Sequence, residues 1–331
     1  MRLKTWGILL GVALLLSMVI GLAFGSVAIP LQTVARDIIN VWQGMQSPNE
    51  ILFGIRLPRI FFAACAGASL GLTGLLMQTV SQNYLADPYI LGVSSGASAG
   101  AVFCIVSGTA GMLGGHGIYF GAFAGAVLAT GIVMLLAGSD GSPVRLVLMG
   151  MGISALFSAI TMFFIYGAKD EAQVRSAMFW LMGSLAGIQW QSLPPMLVTL
   201  FCLLIFIYLY RHELDILLLG RDEARHVGME VNHLQRLIVL VTSAAVAIVV
   251  ALAGLIGFVG LIVPHLARFS GAQKHGHLLW LVSLVGALVL VWSDLLARTL
   301  FAPEELPIGV LTAGFGAPIF LWMIHRNYGG E

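Results

Sequence analysis

Apolar residues run through this chain in stretches far longer than a soluble core needs. A helix crosses a bilayer with about 20 mainly apolar residues, and ten such stretches follow one another with short connectors between them. We place them at 6–26, 59–80, 91–108, 117–137, 146–167, 192–210, 237–255, 257–268, 278–299 and 308–325. The eighth is shorter than a full crossing. The expected fold is all-α: a polytopic membrane protein with about ten transmembrane helices. We expect a single transmembrane domain over 1–331, as two sets of five spans (1–210 and 237–331). An even number of crossings puts both termini on one side.

One stretch interrupts the pattern. Arg211 to Arg236 holds four Arg and five Asp/Glu, nine of the chain's 31 charged residues. It also has internal order. A short helix is legible from Asp222 to Val227, with Asp222 and Glu223 in its first turn and Arg225 and His226 in its last. That arrangement matches the helix dipole, and Gly228 is a natural C-terminal stop. Such a segment is either a solvated connector or a docking surface on which a soluble partner pushes.

Composition agrees with the pattern. The residues are 59% hydrophobic and 9% charged, with a mean hydropathy of +0.97, which excludes a soluble domain. The net charge of +1 gives no reason to expect a nucleic-acid partner. Cys65, Cys104 and Cys202 sit far apart inside apolar stretches and read as packing residues, not a disulfide frame or metal site. The N-terminal run after Arg2 and Lys4 has the flavour of a signal peptide, but its length and the spans that follow make it a retained first helix. Of the 16 Lys and Arg, ten fall in one set of alternate connectors and six in the other. The richer side, with the charged segment and both termini, is expected in the cytoplasm. On the poorer side Arg56 and Arg59 flank Leu57-Pro58, and Arg298 follows Asp294 by one helical turn, close enough to pair with it. These arginines either anchor helix ends at the interface or hold carboxylates of an arriving protein.

Glycines four apart form stripes that let helix backbones touch: Gly67 and Gly71; Gly92, Gly96 and Gly100; Gly121 and Gly125. Non-helical breaks are expected at Asp87-Pro88 and at Val263-Pro264-His265, where proline removes a backbone donor. Gly92-Val93-Ser94-Ser95-Gly96 fits the letters of a nucleophile elbow but follows a proline turn, with no strand before it. There is no H-E-x-x-H and no G-x-x-x-x-G-K-[ST], so neither zinc hydrolysis nor nucleotide binding has a motif here.

Several motifs recur together in one known family. They include Ile55-Arg56-Leu57-Pro58-Arg59, Leu85-Ala86-Asp87-Pro88 with Leu91-Gly92-Val93-Ser94, Phe179-Trp180-Leu181-Met182-Gly183, Leu219-Gly220 with Ala224 and Val227-Gly228, Gly257 to His265, Asp294 to Arg298, and Glu305-Leu306-Pro307-Ile308-Gly309. In this order the chain resembles the permease subunits of ABC importers for iron-siderophores, haem and vitamin B12, the FecCD/BtuC type. The resemblance implies a permease in a bacterial inner membrane that pairs with a second copy of itself. It also implies two cytoplasmic ATP-binding subunits and a periplasmic or lipid-anchored binding protein. It assigns Leu219, Gly220, Arg221, Ala224, Val227 and Gly228 to ATPase coupling, and Arg56, Arg59 and Arg298 to binding-protein docking. Asp87, Pro88, Gly92, Gly96, Pro264 and His265 are motif positions with structural roles. The chain itself is expected to be non-catalytic, with no cofactor or metal, and its segment 170–187 to form an extra helix at the delivery mouth. Two positions depart from the family's habit: Tyr84, where proline is usual, and Arg221, where an acidic residue is common.

The expected mechanism is alternating access, with iron compounds or vitamin B12 as cargo and the path lined by the second and fifth spans of both copies, joined by the eighth and tenth. Few ionisable groups lie mid-span, which disfavours the alternative of an ion-coupled secondary transporter. A membrane serine hydrolase is the third class. A fluorophosphonate probe applied to the purified protein is expected to leave Ser94 unlabelled; mass-spectrometric detection of an adduct there would reinstate the hydrolase.

Overall fold

The computed structural model describes residues 2–43, 49–111, 115–138 and 143–328. Among them there is no strand. The first seven helices are α1 (Arg2–Ala23), α2 (Leu31–Trp42), α3 (Leu57–Ser81), α4 (Val93–Val106), α5 (Gly117–Ala137), α6 (Pro143–Tyr166) and α7 (Glu171–Leu181). Then follow α8 (Leu193–Leu209), α9 (Arg211–Leu217), α10 (Arg221–His226), α11 (Val231–Ala253), α12 (Val259–Arg268), α13 (His275–Thr299) and α14 (Ile308–Tyr328). Eight helical stretches are long and apolar enough to cross a membrane, and α4 and α12 are shorter apolar helices. These ten fall, in order, on the ten expected spans. The division into two sets of five does not hold: six of these ten precede the charged segment and four follow it.

The bundle is built around α3. In its most apolar window 89% of the residues are buried, against 22–61% in the other long apolar helices. A helix can be enclosed on all sides only if its neighbours come close, and its glycines allow this. A Cβ on Gly67 would overlap the Gly286 carbonyl of α13, and one on Gly74 the Gly260 carbonyl of α12. Gly71 lies against Val263 and Val282. The second stripe does the same for α4 and α5, which run antiparallel: Gly96 meets Gly125 and Gly100 meets Gly121, backbone to backbone.

The break expected at Pro264 is absent. Pro264 lies inside α12, and the chain instead leaves helical geometry before it, at Gly254 (φ +70°) and Phe258 (φ +65°). The carbonyl that Pro264 leaves without a donor is that of Gly260, which is pressed against Gly74 of α3. The Asp87-Pro88 break is present. Asp87 caps a short 3-10 turn, Pro88–Leu91, by accepting the Tyr89 N–H at 2.8 Å, and Gly92 turns the chain into α4 at φ +78°.

Three elements escaped the sequence pattern. A π-helical turn, Ile51–Arg56, precedes α3. The helices α2 and α9 are too short and too polar to register as spans. In α2 the residues Leu31, Ile38 and Ile39 are exposed, while Val34 and Asp37 turn inward.

Replacing Gly100 by leucine is expected to lower the thermal midpoint in detergent, since overpacking a close helix contact costs ~1–3 kcal/mol. The same change at Gly11, where nothing lies within 4 Å of the added carbon, is expected to leave it unchanged.

Candidate functional site

Polar side chains gather at the two opposite ends of the α3–α13 pair. At one end α1 stops, and its last carbonyls have no helical partner. Two arginines supply one. Arg56, on the π-turn, donates Nη1 to the Leu22 and Ala23 carbonyls at 2.7 and 3.2 Å, and Nη2 to that of Val27. Arg298, near the end of α13, donates Nη1 to the Gly21 carbonyl at 3.3 Å. Cations at a helix C-terminus also offset its dipole. The third arginine, Arg59, bridges two helix ends: Nε to Asp294 Oδ1 at 2.7 Å and Nη1 to Glu305 Oε2 at 2.8 Å. The other Asp294 oxygen lies 3.1 Å from Arg298 Nε, the pairing that one helical turn of spacing predicts.

The π-turn has a local cause. Pro58 cannot donate to the chain before it, and the amide of Leu57 bonds back five residues to Leu52. The Phe53 carbonyl of this turn accepts the Trp190 indole N–H at 2.8 Å. The widened turn carries Arg56 to α1 while Arg59, on the next turn, faces α13.

Arg56, Arg59 and Arg298, expected either to anchor helix ends or to hold carboxylates of an arriving protein, are 5%, 4% and 3% exposed and are engaged inside the chain. Their visible partner is Glu305, whose side chain keeps 30% of its surface. Three guanidiniums against two carboxylates leave this cluster, taken by itself, one positive charge in excess, partly offset by the α1 carbonyls.

At the opposite end lies the charged segment. Here α10 is the helix expected at 222–227, shifted one residue towards the N-terminus, with Gly228 left-handed at φ +85° beyond it. Its first-turn Asp222 and last-turn Arg225 stand 3.5 Å apart on the exposed side. Leu219 and Val227 are 72% and 69% exposed, two apolar side chains on a polar surface. Ala224 is fully buried beneath α10 against Leu217 and Val231. Arg221 folds back onto α11 and donates to Asn232 at 3.1 Å and Gln235 at 2.9 Å. Burial, and then the charge of Arg225, pull the Arg221 guanidinium below its ordinary pKa, with Asp222 opposing. Gly220 is left-handed at φ +129°, and a Cβ there would overlap the Glu223 carboxylate. Of the six residues assigned to coupling, then, Leu219, Val227 and Gly228 face outward, Ala224 and Arg221 hold the helix in place, and Gly220 makes the turn.

Beside this segment the connector 82–92 is held by side chains. Tyr84, the departure from proline, lies under the Arg268 guanidinium at 4.6 Å, a cation–π contact that proline could not make. Arg268 also donates to Gln78 at 2.7 Å, and Gln78 to the Leu261 carbonyl at 3.1 Å. Burial pushes the Asp87 carboxyl up to about 6 against the pull of the Tyr89 N–H. His265 stacks edge-on against Phe269 and is half-buried. Among the described residues no three His, Cys, Asp or Glu side chains are grouped to hold a metal.

Sequence reading attached no role to Glu305, Asp215, Thr79 or His275. Glu305 was visible only as a letter in a motif. The other three come from three separate helices, and nothing in their spacing links them.

Asp294→Asn is expected to destabilise the folded chain by ~3–5 kcal/mol, because it leaves two buried guanidiniums short of a charge partner. Equilibrium unfolding in mixed detergent micelles, compared with Asp222→Asn on the exposed side of α10, checks this.

Residues 13–326 match the FecCD transport family. The chain is 36% identical over 324 residues to the vitamin B12 import system permease protein BtuC of Citrobacter koseri, covering 97% of this chain and 94% of that protein. It is 35% identical to the same-named protein of Klebsiella pneumoniae, covering 99% and 96%. Its backbone superposes with a TM-score of 0.84, at 31% identity, on a structure described as a metal-chelate-type ABC transporter in an inward-facing conformation, covering 98% and 99%. PsaBC of Streptococcus pneumoniae, at 19% identity and a TM-score of 0.54, shares the fold alone. With a family match over nearly its whole length and relatives above 30% identity, this chain belongs to the FecCD transport family of ABC-importer permeases.

Proposed function

We propose that this chain is the translocation subunit of an ATP-driven importer in a bacterial inner membrane. It works with both termini in the cytoplasm and takes up a metal-chelate compound, either cobalamin or a ferric chelate. The observation that carries the ATP coupling is the pair of exposed apolar side chains, Leu219 and Val227, flanking a short helix fixed to the bundle by Arg221 and Ala224. Hydrophobic anchors on a rigid support are what a groove on a partner grips. Since the chain has no phosphate-binding loop, that partner brings the nucleotide chemistry.

A second copy is supported by bare helix surfaces. On α6 the small residues Gly152, Ala155 and Ala159 are exposed, and on α14 Gly314 and Pro318 are. No atom of another helix lies within 4 Å of a Cβ built on Gly152 or Gly314. Small residues suit a close approach of two chains or the wall of a path between them. The translocation path then lies between α6 and α14 of both copies, with α3 behind them. Docking of the binding protein follows from the charge at the arginine end. A carboxylate on an arriving protein would meet the cluster at Glu305, its accessible point, and compete with it for Arg59.

The cargo is tested by uptake into vesicles holding this chain with its ATPase and binding protein. Labelled cobalamin and a labelled ferric siderophore are offered with and without ATP. ATP-dependent accumulation of one of them is expected. Accumulation driven by an ion gradient, with this chain alone, would establish a secondary transporter instead. Leu219→Asp with Val227→Asp is expected to release the ATPase subunits on size-exclusion chromatography. Arg59→Glu is expected to weaken binding-protein affinity, and this affinity is expected to fall with salt in the unmodified complex.

A further inference from the structure

Where α3 and α13 meet the charged segment, a second buried polar chain is used by nothing above. Asp215, on α9, accepts through Oδ1 the backbone N–H of His275, the first residue of α13, at 2.8 Å. The same oxygen lies 2.7 Å from Nδ1 of the His275 ring. Across the ring, Nε2 is 2.9 Å from Thr79 Oγ1 on α3. His275 and Thr79 have no exposed surface. A carboxylate only accepts, so Nδ1 carries its hydrogen; the one hydrogen of the Thr79 hydroxyl is shared between Nε2 and the Leu75 carbonyl, 2.8 Å away. Acid, imidazole and hydroxyl come in the order of a nucleophilic triad, but a hydroxyl sealed from both solvent and substrate attacks nothing. Its value is mechanical. Beside it Gln82, just past the end of α3, donates to the Leu217 carbonyl of α9 at 3.1 Å. Two side chains therefore hang α9 from α3 and α13.

The same two helices are joined at their far end by Arg59 and Asp294 and interlocked midway at Gly67 and Gly286. From Thr79 to Arg59, and from His275 to Asp294, each helix runs about 30 Å. A pair pinned at both ends and meshed between them cannot slide or splay without breaking a buried polar contact, so it moves as one body. Arg221 ties α10 to α11 through neutral amides. The α9 tie is charge-assisted as well; its imidazole and hydroxyl are fully buried, while the Asp215 side chain keeps 28% of its surface.

We infer that Asp215, His275 and Thr79 form the joint through which a displacement of α9 and α10 reaches the arginine end, with the α3–α13 pair as the connecting link. The inference rests on the proposed role of the charged segment as the place where the ATPase acts. The three are positioning residues, which touch neither cargo nor nucleotide. They make the binding-protein face and the motor face parts of one lever.

The test uses the complete assembly in lipid nanodiscs: this chain, its ATPase and its binding protein. Asp215→Asn, His275→Ala and the near-isosteric Thr79→Val are compared with Thr79→Ser, which keeps the hydroxyl. In the first three, ATPase subunits are expected to co-purify and basal hydrolysis to stay within about twofold, while its stimulation by loaded binding protein falls about tenfold. Spin labels placed across the arginine end are expected to lose their distance change between nucleotide-free and ATP-bound states. Thr79→Ser is expected to keep both. Normal stimulation in Thr79→Val and Asp215→Asn overturns the joint, as does loss of assembly in all three, since the contacts would then be structural alone. If the unmodified assembly shows no ATP-linked change, the proposed function fails instead, so the two failures are told apart.

Discussion

Enclosing α3 on every side is the constraint on which the rest of this structure depends. A helix buried over almost its whole length has little lipid-facing surface to relax into, so its neighbours must fit it at backbone distance. That requirement explains Gly67, Gly71 and Gly74 along α3 and Gly286 and Gly260 opposite them. It also explains why Pro264 does not break α12. The carbonyl it frees is already packed against α3, and a break there would uncover more than it relieved.

Enclosure moves the polar groups to the ends. Along the middle of α3 the buried hydroxyls of Thr73 and Thr79 can bond carbonyls of their own helix, at Leu70 and Leu75. Arginine, aspartate and histidine appear where helices terminate and where orphan carbonyls and amides need partners. At one end Arg56 and Arg298 complete α1, and Arg59 joins α3 to α13 and to Glu305. At the other, Asp215 completes the start of α13. A buried ion pair adds little net stability by itself, but losing one partner is costly. Such pairs therefore hold registry more than they add strength.

That distribution suits a subunit worked from one face and loaded from the other. One face presents Leu219 and Val227 at either end of a short helix that Arg221 and Ala224 hold to the bundle. The opposite face presents a cluster balanced one charge from neutrality, with Glu305 at its surface. Between them lie stiff helices, not a chain of mobile polar groups.

Much of this was legible in the residue pattern because hydropathy over some 20 residues is a local property. The ten spans, the Asp87 turn, the glycine stripes and the short helix ending at Gly228 each follow from neighbours in sequence. The Asp294–Arg298 pair did too, since i and i+4 share a helix face. What the pattern could not supply depends on which helices touch. Arg56 and Arg298 look like free outward cations until α1 is seen to end beneath them. Arg221 and Ala224 look like contact residues until α11 and the underside of α10 are in place. Tyr84 looks like a departure until Arg268 is found above it. Local sequence thus determined which segments cross and where they turn. Only the tertiary structure decided which charges are spent inside the chain, because a charge is satisfied by whatever lies within about 3 Å, however distant in sequence.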